Sequence, residues 1–394
     1  MLKVKTSILL KLIFYAFHLP LYLISLLIPK NKNIWIFGGW FGEQYSDNTK
    51  YLFEYINRNH PEIKAVWLSR NKEVINLIRN KGFKAYYCYS IYGYLYSALA
   101  KICIVNIGIG DVNKFIPPPI IINLWHGIPL KKIGYDDVIS NSKIGKYKDL
   151  KKFLFPFIRY REDVNLAIAC SEEDQSHLST ALKIPKECVK ITGYPRNDNI
   201  LVSTNQKILK YNVSYLPTFR GGINDKVDLF SNFGFDIVKW NNELGKLSVF
   251  LNIKMHPVNK PQDRLLEEFK HCKNISFLDE IDVAELLPNT QILITDYSSV
   301  FFDYLLMDRP IIFAPFDYEE YITKDRELYY DYNEVTPGPK CRNWDEVLEW
   351  IEKFKNNPAL YAEERRKLRN RFHKYQDGKS CERVYKEIDK LIKG

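Results

Sequence analysis

Polar side chains that could bind a phosphate stand where a predicted β-strand ends. The buried strand at residues 292–294 leads into Asp296, Ser298 and Ser299, and an apolar helix begins at Val300. A turn of this kind presents unpaired backbone N–H groups at the positive end of the helix dipole, which suits a phosphate group. Serine is also a common helix N-cap, so these two serines taken alone could simply start the helix.

Other polar residues share this position at the end of a strand, and two of them are histidines. The whole set at the carboxyl ends of predicted strands is His126, Arg196, Thr218, Arg220, Lys254, His256, Ser298 and Ser299. Ligands of open α/β sheets bind outside that edge. Arginine and lysine there would stabilise a phosphate diester or pyrophosphate. A lone histidine is more often structural, but with two of them one could deprotonate an attacking hydroxyl while the other assists the departing phosphate.

Strands that alternate with helices must position these residues. The predicted strands cover residues 33–39, 65–68, 85–88, 101–106, 120–124, 165–170, 189–192, 210–216, 247–253, 275–278, 292–294 and 311–313. The alternation pauses near residues 200–212, which predicts two α/β domains, each with a doubly wound parallel sheet. The helix after Ser299 is predicted to cover residues 300–307 and to be stopped by Pro310.

Composition narrows the class of protein without fixing its function. The formal charge of +10 favours an acidic partner such as nucleic acid, a phospholipid surface or a phosphorylated substrate. Seven dispersed cysteines without a CxxC pair argue against a disulfide framework or a zinc site. The signatures GxxxxGK[ST], HExxH and GxSxG are absent, and Gly108-Ile-Gly110 is too short to identify a nucleotide loop.

Two segments could contact a membrane. Residues 8–28 are largely apolar, are interrupted by Lys11, His18 and Pro20, and have lysines on both sides. A cleaved signal peptide and a spanning helix are alternatives, but an in-plane anchor on the cytoplasmic face fits the interruptions and the flanking charges better. Residues 150–161 combine basic and aromatic side chains, which indicates either a solvated basic face or a second membrane contact.

The motifs, taken together and in order, resemble the CDP-glycerol glycerophosphotransferase family of teichoic acid synthesis. They are FGGWFGEQYSDNTKYLFEY (residues 37–55), WHGIPLKKIG (125–134), GYPRND (193–198), PTFR (217–220), KMHP (254–257), DYSSVFFD (296–303) and PGP (337–339). The likeness covers roughly residues 34–375. Two departures are Ile128, where the family often has threonine, and the segment 325–330, where Arg-Gly is more usual.

This resemblance implies a GT-B-like fold, in which two Rossmann-like domains face a central cleft. The expected segments are a membrane-associating stretch at 1–32, an acceptor-side domain at 33–205, a CDP-glycerol-binding domain at 206–375 and a terminal helix at 376–394 that returns to the first domain. The implied reaction transfers glycerol phosphate from CDP-glycerol to a hydroxyl of an undecaprenyl-diphosphate-linked disaccharide and releases CMP. These expected segments amount to little more than an anchor and a catalytic part, which favours a primase over a polymerase.

The resemblance also assigns roles to individual residues. By motif match, His126 and His256 are catalytic, the first as base and the second at the phosphate. The residues expected to bind CDP-glycerol are Trp125, Gly127, Arg196, Pro217, Thr218, Arg220, Lys254, Ser298, Ser299 and Asp303, the last by hypothesis through ribose hydroxyls. No metal, cofactor or nucleic acid is implied, and the protein is expected at the cytoplasmic face of the cell membrane as a peripheral protein. A glycerol- or ribitol-phosphate polymerase of teichoic acid or capsule, and a GT-B glycosyltransferase that uses a sugar nucleotide, remain alternatives.

Overall fold

The computed structural model describes residues 2–137, 148–203, 210–218, 220, 228–255, 263–278, 281–324 and 327–393. The chain divides into two compact units. Unit 1 consists of Met1–His126, Gly134–Arg196 and Lys379–Gly394, and unit 2 consists of Gly127–Ile133 and Asn197–Gly378. The backbone therefore passes from unit 1 to unit 2 directly after His126.

Unit 1 is built on a seven-stranded parallel sheet in the order β3-β2-β1-β4-β5-β6-β7. Its strands are β1 (Asn31–Phe37), β2 (Lys64–Ser69), β3 (Ala85–Tyr87), β4 (Ala100–Val105), β5 (Ile120–Asn123), β6 (Leu166–Ala169) and β7 (Val189–Ile191). The central strands carry apolar residues on both faces, as buried parallel strands do. The apolar runs seen in the sequence are therefore the core of this sheet.

Helices of unit 1 connect these strands and include the first and last helices of the chain. They are α1 (Leu2–Leu26), α2 (Asp47–Asn59), α3 (Lys72–Asn80), α4 (Ile91–Leu99), α5 (Lys148–Leu154), α6 (Glu172–Leu182), α7 (Pro195–Ser203, whose residues after Arg196 belong to unit 2) and α16 (Ser380–Lys393). Arg383 of α16 donates to the Thr192 carbonyl oxygen at 2.8 Å. No helix in the described part of the chain combines the length and apolarity that crossing a membrane requires.

Unit 2 is built on a five-stranded parallel sheet in the order β10-β9-β8-β11-β12. Its strands are β8 (Tyr211–Leu216), β9 (Val249–Ile253), β10 (Ile275–Phe277), β11 (Ile292–Thr295) and β12 (Ile311–Phe313). Its helices are α8 (Ile237–Lys246), α9 (Asp263–Lys270), α10 (Val283–Leu286), α11 (Val300–Tyr304), α12 (Tyr318–Lys324), α13 (Tyr332–Val335), α14 (Trp344–Asn356) and α15 (Ala362–Phe372). Trp240 and Trp344 are fully buried in its core, with ring centroids 5.2 Å apart.

Each sheet contains a point at which the strand order reverses. In unit 1, β1 pairs with β2 on one side and with β4 on the other. In unit 2, β8 pairs with β9 on one side and with β11 on the other. The loops that leave adjacent strands at such a point diverge and open a crevice at the carboxyl edge. Those of the predicted polar residues that the structure describes lie at these two edges.

The twelve predicted strands are confirmed, and so is the extent of the helix predicted at residues 300–307. The helix after Ser299 is α-helical only to Tyr304 and continues as a 3₁₀ turn over Leu305–Met307. It ends because Asp308 adopts a left-handed conformation with φ of 53°, before Pro310 is reached. A short polar residue such as aspartate tolerates this conformation better than most residues do.

Candidate functional site

His126 lies in the loop that follows β5, with its ring close to two tryptophan rings. Its Nδ1 is 3.3 Å from the carbonyl oxygen of Asn106, the first residue after β4. The ring stacks on Trp125 with centroids 4.4 Å apart and lies 5.4 Å from the ring of Trp40, in the loop after β1. Because a carbonyl oxygen only accepts, Nδ1 carries the hydrogen in this contact and Nε2 is left as the proton acceptor.

The surroundings of His126 keep the ring neutral. Burial lowers the pKa of His126 below its ordinary value of 6.5, and the positive charge of Arg196 lowers it further. The Asp47 carboxylate and the Asn106 carbonyl oppose this shift, but the pKa remains lowered. A neutral imidazole with Nε2 available can accept a proton from a hydroxyl near neutral pH.

The backbone around His126 is strained. Trp40, Asp47 and Trp125 have φ values of 48°, 66° and 51°. The left-handed region costs such residues of the order of 1–3 kcal/mol each and is retained where the surroundings enforce it. The Asn123 side chain accepts from the Trp125 N–H at 2.9 Å, and Asn48 donates to the Trp125 carbonyl oxygen at 3.0 Å. These contacts fix the loop that presents the imidazole.

Arg196 supports the same loop from the start of α7. Its Nη1 donates to Asp47 Oδ1 at 2.9 Å and to the carbonyl oxygen of His126 at 3.0 Å. Its backbone N–H donates to Asn48 Oδ1 at 3.2 Å. The side chain is 13% exposed. Arg196 therefore positions His126, and its predicted contact with CDP-glycerol stays a prediction.

A buried carboxylate organises the loop after β4. Asp111 Oδ2 accepts from the N–H groups of Asn106, Ile107 and Gly108 at 3.0, 2.9 and 3.4 Å, while Oδ1 accepts from Phe41 N at 2.7 Å. Burial raises the pKa of Asp111, against the lowering effect of these four backbone donors. Asp111 thereby ties together the loops after β1 and β4, including the carbonyl that orients His126.

In unit 2, Asp296 joins the loops at the edge where β8 and β11 meet. Its Oδ1 accepts from the Thr218 N–H at 2.7 Å and from the Tyr297 N–H at 2.6 Å. The hydroxyl of Tyr332 donates to the Asp296 carbonyl oxygen at 3.1 Å. Asp296 is completely buried. It therefore fixes the turn that carries Ser298 and Ser299.

Arg220 is part of this buried support. The residue is 2% exposed, and its Nη2 donates to Asp296 Oδ2 at 2.7 Å. Its Nε donates to Asp317 Oδ2 at 2.6 Å, and the guanidinium packs against the rings of Tyr297 and Tyr321. Burial would lower the pKa of Arg220, but the two carboxylates raise it overall. Its donors thus organise the turn, and direct contact with CDP-glycerol stays a prediction.

Several other predicted residues of unit 2 lie at or near the same sheet edge. Ser298 Oγ is 3.4 Å from the Val300 N–H, and Ser299 occupies the N-cap position of α11 without a side-chain cap bond. Both serines are half-buried. The others at this edge are Pro217 and Thr218, both buried after β8, Asp303 in α11 at 2% exposure, and the half-buried Lys254 after β9. Gly127 follows His126 directly and is buried, with φ of 134°.

One predicted site residue, His256, lies outside the described residues, so its role at the phosphate stays a prediction. Within the described ranges, no group of three or more His, Cys, Asp or Glu side chains is placed to hold a metal ion.

Sequence reasoning placed Asp296 in the turn but missed the other residues that hold the site together: Asp47, Asn48, Asp111 and Asp317. For Asp111 a signal was present, because aspartate directly after Gly108-Ile-Gly110 can accept hydrogen bonds from preceding backbone N–H groups. For Asp317 there was none, since its partner Arg220 lies 97 positions away in sequence.

Comparison with known proteins agrees with this fold. The teichoic acid glycerol-phosphate transferase of Staphylococcus aureus (strain NCTC 8325 / PS 47) is 28% identical over 96% of this chain and 98% of its own length. The teichoic acid poly(glycerol phosphate) polymerase of Bacillus spizizenii (strain ATCC 23059 / NRRL B-14472 / W23) is 29% identical over 84% of this chain and 86% of its own. The solved structure of the wall teichoic acid polymerase TagF superposes with a TM-score of 0.72 at 22% identity, covering 92% of this chain and 90% of that one.

A family model supplies the assignment. The model described as CDP-Glycerol:Poly(glycerophosphate) glycerophosphotransferase matches residues 20–390, which include both sheets and every predicted site residue. The sequence likeness to the transferase and the polymerase extends over most of the chain. This chain therefore belongs to the CDP-glycerol:poly(glycerophosphate) glycerophosphotransferase family.

Proposed function

We propose that this protein transfers glycerol phosphate from CDP-glycerol to a hydroxyl of a lipid-linked saccharide in wall teichoic acid synthesis. The family assignment supports the donor and the reaction type. The observation that carries the chemistry is the placement of His126, whose Nδ1 faces the Asn106 carbonyl while its Nε2 is left to accept a proton.

In the proposed reaction, Nε2 of His126 takes the proton of the acceptor hydroxyl. The hydroxyl oxygen attacks the phosphorus next to glycerol, and the bond between this phosphorus and the oxygen bridging to the cytidylate phosphate breaks. CMP leaves with that bridging oxygen, and the acceptor gains glycerol phosphate. The Asn106 carbonyl stabilises the imidazolium through Nδ1–H, and Asp47 adds a favourable charge.

CDP-glycerol is proposed to bind at the edge of unit 2 where β8 and β11 meet. The turn at Ser298 and Ser299 presents hydroxyls and backbone N–H groups that suit the diphosphate. Asp296 and Arg220 are proposed to hold this turn rigid, because their charges are already committed to each other. Rigid donors cost little reorganisation when charge develops on the departing phosphate.

A peripheral position at the membrane is proposed from an apolar surface of unit 1. Tyr22 of α1 and Phe115, Phe155 and Phe157 form one buried aromatic cluster, so the two predicted membrane segments pack on each other. Outside this cluster, apolar side chains remain exposed on both helices: Phe17 at 70% and Leu26 at 56% on α1, and Leu150 at 54% and Phe153 at 82% on α5. Exposed apolar groups beside lysines suit the interface of an anionic bilayer.

The experiment that tests the proposed function offers a synthetic lipid-diphosphate disaccharide together with CDP-glycerol, CDP-ribitol or UDP-sugars. We expect CMP release from CDP-glycerol only when the acceptor is present, with a product heavier by glycerol phosphate. One added unit per acceptor would identify a primase, and a ladder of products would identify a polymerase. Nucleotide release from a UDP-sugar alone would contradict the proposal and favour a glycosyltransferase.

A further inference from the structure

Unit 1 contains a cavity of about 290 Å³ beside the loop that orients His126. It is lined in part by isoleucine and valine side chains together with Asn123, at the end of β5. The loop 107–110, which begins at the residue after Asn106, also lines it. Because the Asn106 carbonyl contacts the His126 ring, this lining loop follows directly on the group that orients the proposed base.

The other part of the lining is aromatic and cationic. It consists of Tyr135, Arg159, Tyr160 and Arg161. The guanidinium of Arg161 lies 5.9 Å from the ring centroid of Tyr135, so these two side chains are neighbours. Tyrosine rings suit the apolar faces of a saccharide, and arginine suits phosphate oxygens through its planar fork of donors.

The charged side chains in and beside this part of the lining favour binding of an anion. Lys148 and Lys152 are ion-paired with Glu162 and Asp163. Within the part of the chain that the structure describes, no ion pair engages Arg159 or Arg161. Arg159 donates to the Pro156 carbonyl oxygen at 2.7 Å, which leaves other N–H groups of its guanidinium for a ligand. Arg161 is exposed to solvent.

The arginines of the cavity lie close in sequence to the aromatic cluster of unit 1. Arg159 follows Phe157 of this buried cluster by two residues. A saccharide attached to a lipid through phosphate offers an anion to the arginines and ring faces to the tyrosines.

We propose that this cavity is the acceptor subsite, and that Arg159 and Arg161 bind a phosphoryl group of the acceptor while the tyrosines contact its saccharide. This inference deepens the proposed function and rests on it for the identity of the acceptor. Two sources offer the same chemistry: the diphosphate that joins saccharide and lipid, and the phosphate of a glycerol phosphate unit already attached.

The cavity offers a substitution that fills it with little risk to the fold. Gly108 has φ of 164°, an extended conformation open to any residue, and a Cβ added there would meet no heavy atom within 4 Å. Gly108→Val should therefore place two methyl groups into open space. Arg161→Gln removes an exposed charge from the lining of the cavity. The matched control is Arg58→Gln in the same unit, whose guanidinium pairs with Glu54 at 2.8 Å on α2.

The test measures binding of soluble, short-chain acceptors by calorimetry in the absence of CDP-glycerol. The three probes are a disaccharide without phosphate, the lipid-diphosphate disaccharide, and the latter bearing one glycerol phosphate. We expect Arg161→Gln to weaken binding of a phosphate-bearing probe by about tenfold, as for one hydrogen bond to a charged group, and Gly108→Val to weaken it at least as much. Arg58→Gln should change nothing.

The three probes separate the possible outcomes. If the variants bind the lipid-diphosphate probe more weakly, the proposal is supported with the diphosphate as the anion. If binding weakens only for the probe that bears glycerol phosphate, the proposal is supported with that phosphate as the anion. Unchanged binding of both phosphate-bearing probes in both variants, or an equal loss with the phosphate-free disaccharide, overturns it. The binding test contains no CDP-glycerol. Its result can therefore be interpreted even if the functional assay shows no CMP release. In turnover, both variants should raise the KM for acceptor more than the KM for CDP-glycerol.

Discussion

Replacing Arg220 with methionine tests whether the buried ion pairs of unit 2 support the predicted diphosphate turn. Methionine has a similar length and no charge, so it preserves much of the packing against Tyr297 and Tyr321. It leaves the carboxylates of Asp296 and Asp317, which are 0% and 9% exposed, without the cation that they share. Breaking a buried ion pair by removing one partner costs about 3–5 kcal/mol.

A loss of this size should be visible in thermal unfolding. For a folding unit of about 150–250 residues, 1 kcal/mol corresponds to about 2–4 °C, so the midpoint of unit 2 should fall by about 6–20 °C. Differential scanning calorimetry measures this shift directly. Arg220→Lys is the matched control, because it keeps the charge but not the fork of donors, and it should lose less stability than Arg220→Met.

The double variant Arg220→Met/Asp317→Asn sharpens the test. If the loss of stability in Arg220→Met comes from unpaired charge, removing one carboxylate as well should offset part of it. The free energy of unfolding of the double variant should then be about 1–3 kcal/mol higher than the sum of the two single losses predicts. In Arg220→Met, the turn that carries Ser298 and Ser299 should also bind CDP-glycerol less tightly, because Asp296, which loses its cation, holds the N–H groups of Thr218 and Tyr297. An Arg220→Met protein that unfolds within 2 °C of wild type and binds CDP-glycerol normally would refute this reasoning.

Three further predictions follow from unit 1. Because burial lowers the pKa of His126 from 6.5, the base stays neutral below that pH, and kcat/KM should begin to fall only below pH 6.5. An acid limb of the pH profile above 6.5 would contradict the role of burial. Asp111→Asn should lower the free energy of unfolding by about 1–3 kcal/mol, measured by denaturant titration, and also shift that acid limb, which loss of stability alone would not do. Phe153→Glu should reduce sedimentation with anionic vesicles, whereas Val238→Glu, at a 67% exposed position of unit 2, should not; equal effects would argue against a membrane surface on unit 1.

The strands and the sheet edges could be predicted because their signal is local. Runs such as residues 292–294 and 120–124 are apolar, short and bounded by polar turns, and such runs become buried parallel strands. The position of His126 followed from the same reasoning, since it comes directly after the predicted strand at 120–124. Residue type and position along the chain were sufficient for these predictions.

The support of the site could not be predicted because its partners are distant in sequence. Arg220 pairs with residues 76 and 97 positions away, and Arg196 pairs with Asp47 across 149 positions. From the sequence alone, each arginine at a strand end reads as a ligand for phosphate. Only the folded chain shows that acidic side chains already engage them. The helix that contains Arg196 did carry a local signal, since it begins with Pro195, a residue that favours the first turn of a helix.

The most direct test of the account is turnover by His126→Asn. Asparagine can still donate to the Asn106 carbonyl oxygen, but it cannot accept a proton, so the loop should persist while the base is lost. His60→Asn is the control, because that ring stacks on Tyr385 away from the candidate site. We expect CMP release from CDP-glycerol with the synthetic acceptor to fall about 10²–10⁴-fold in His126→Asn and to stay near wild type in His60→Asn. A His126→Asn protein that folds normally and turns over at the wild-type rate would contradict the assignment of His126 as the base.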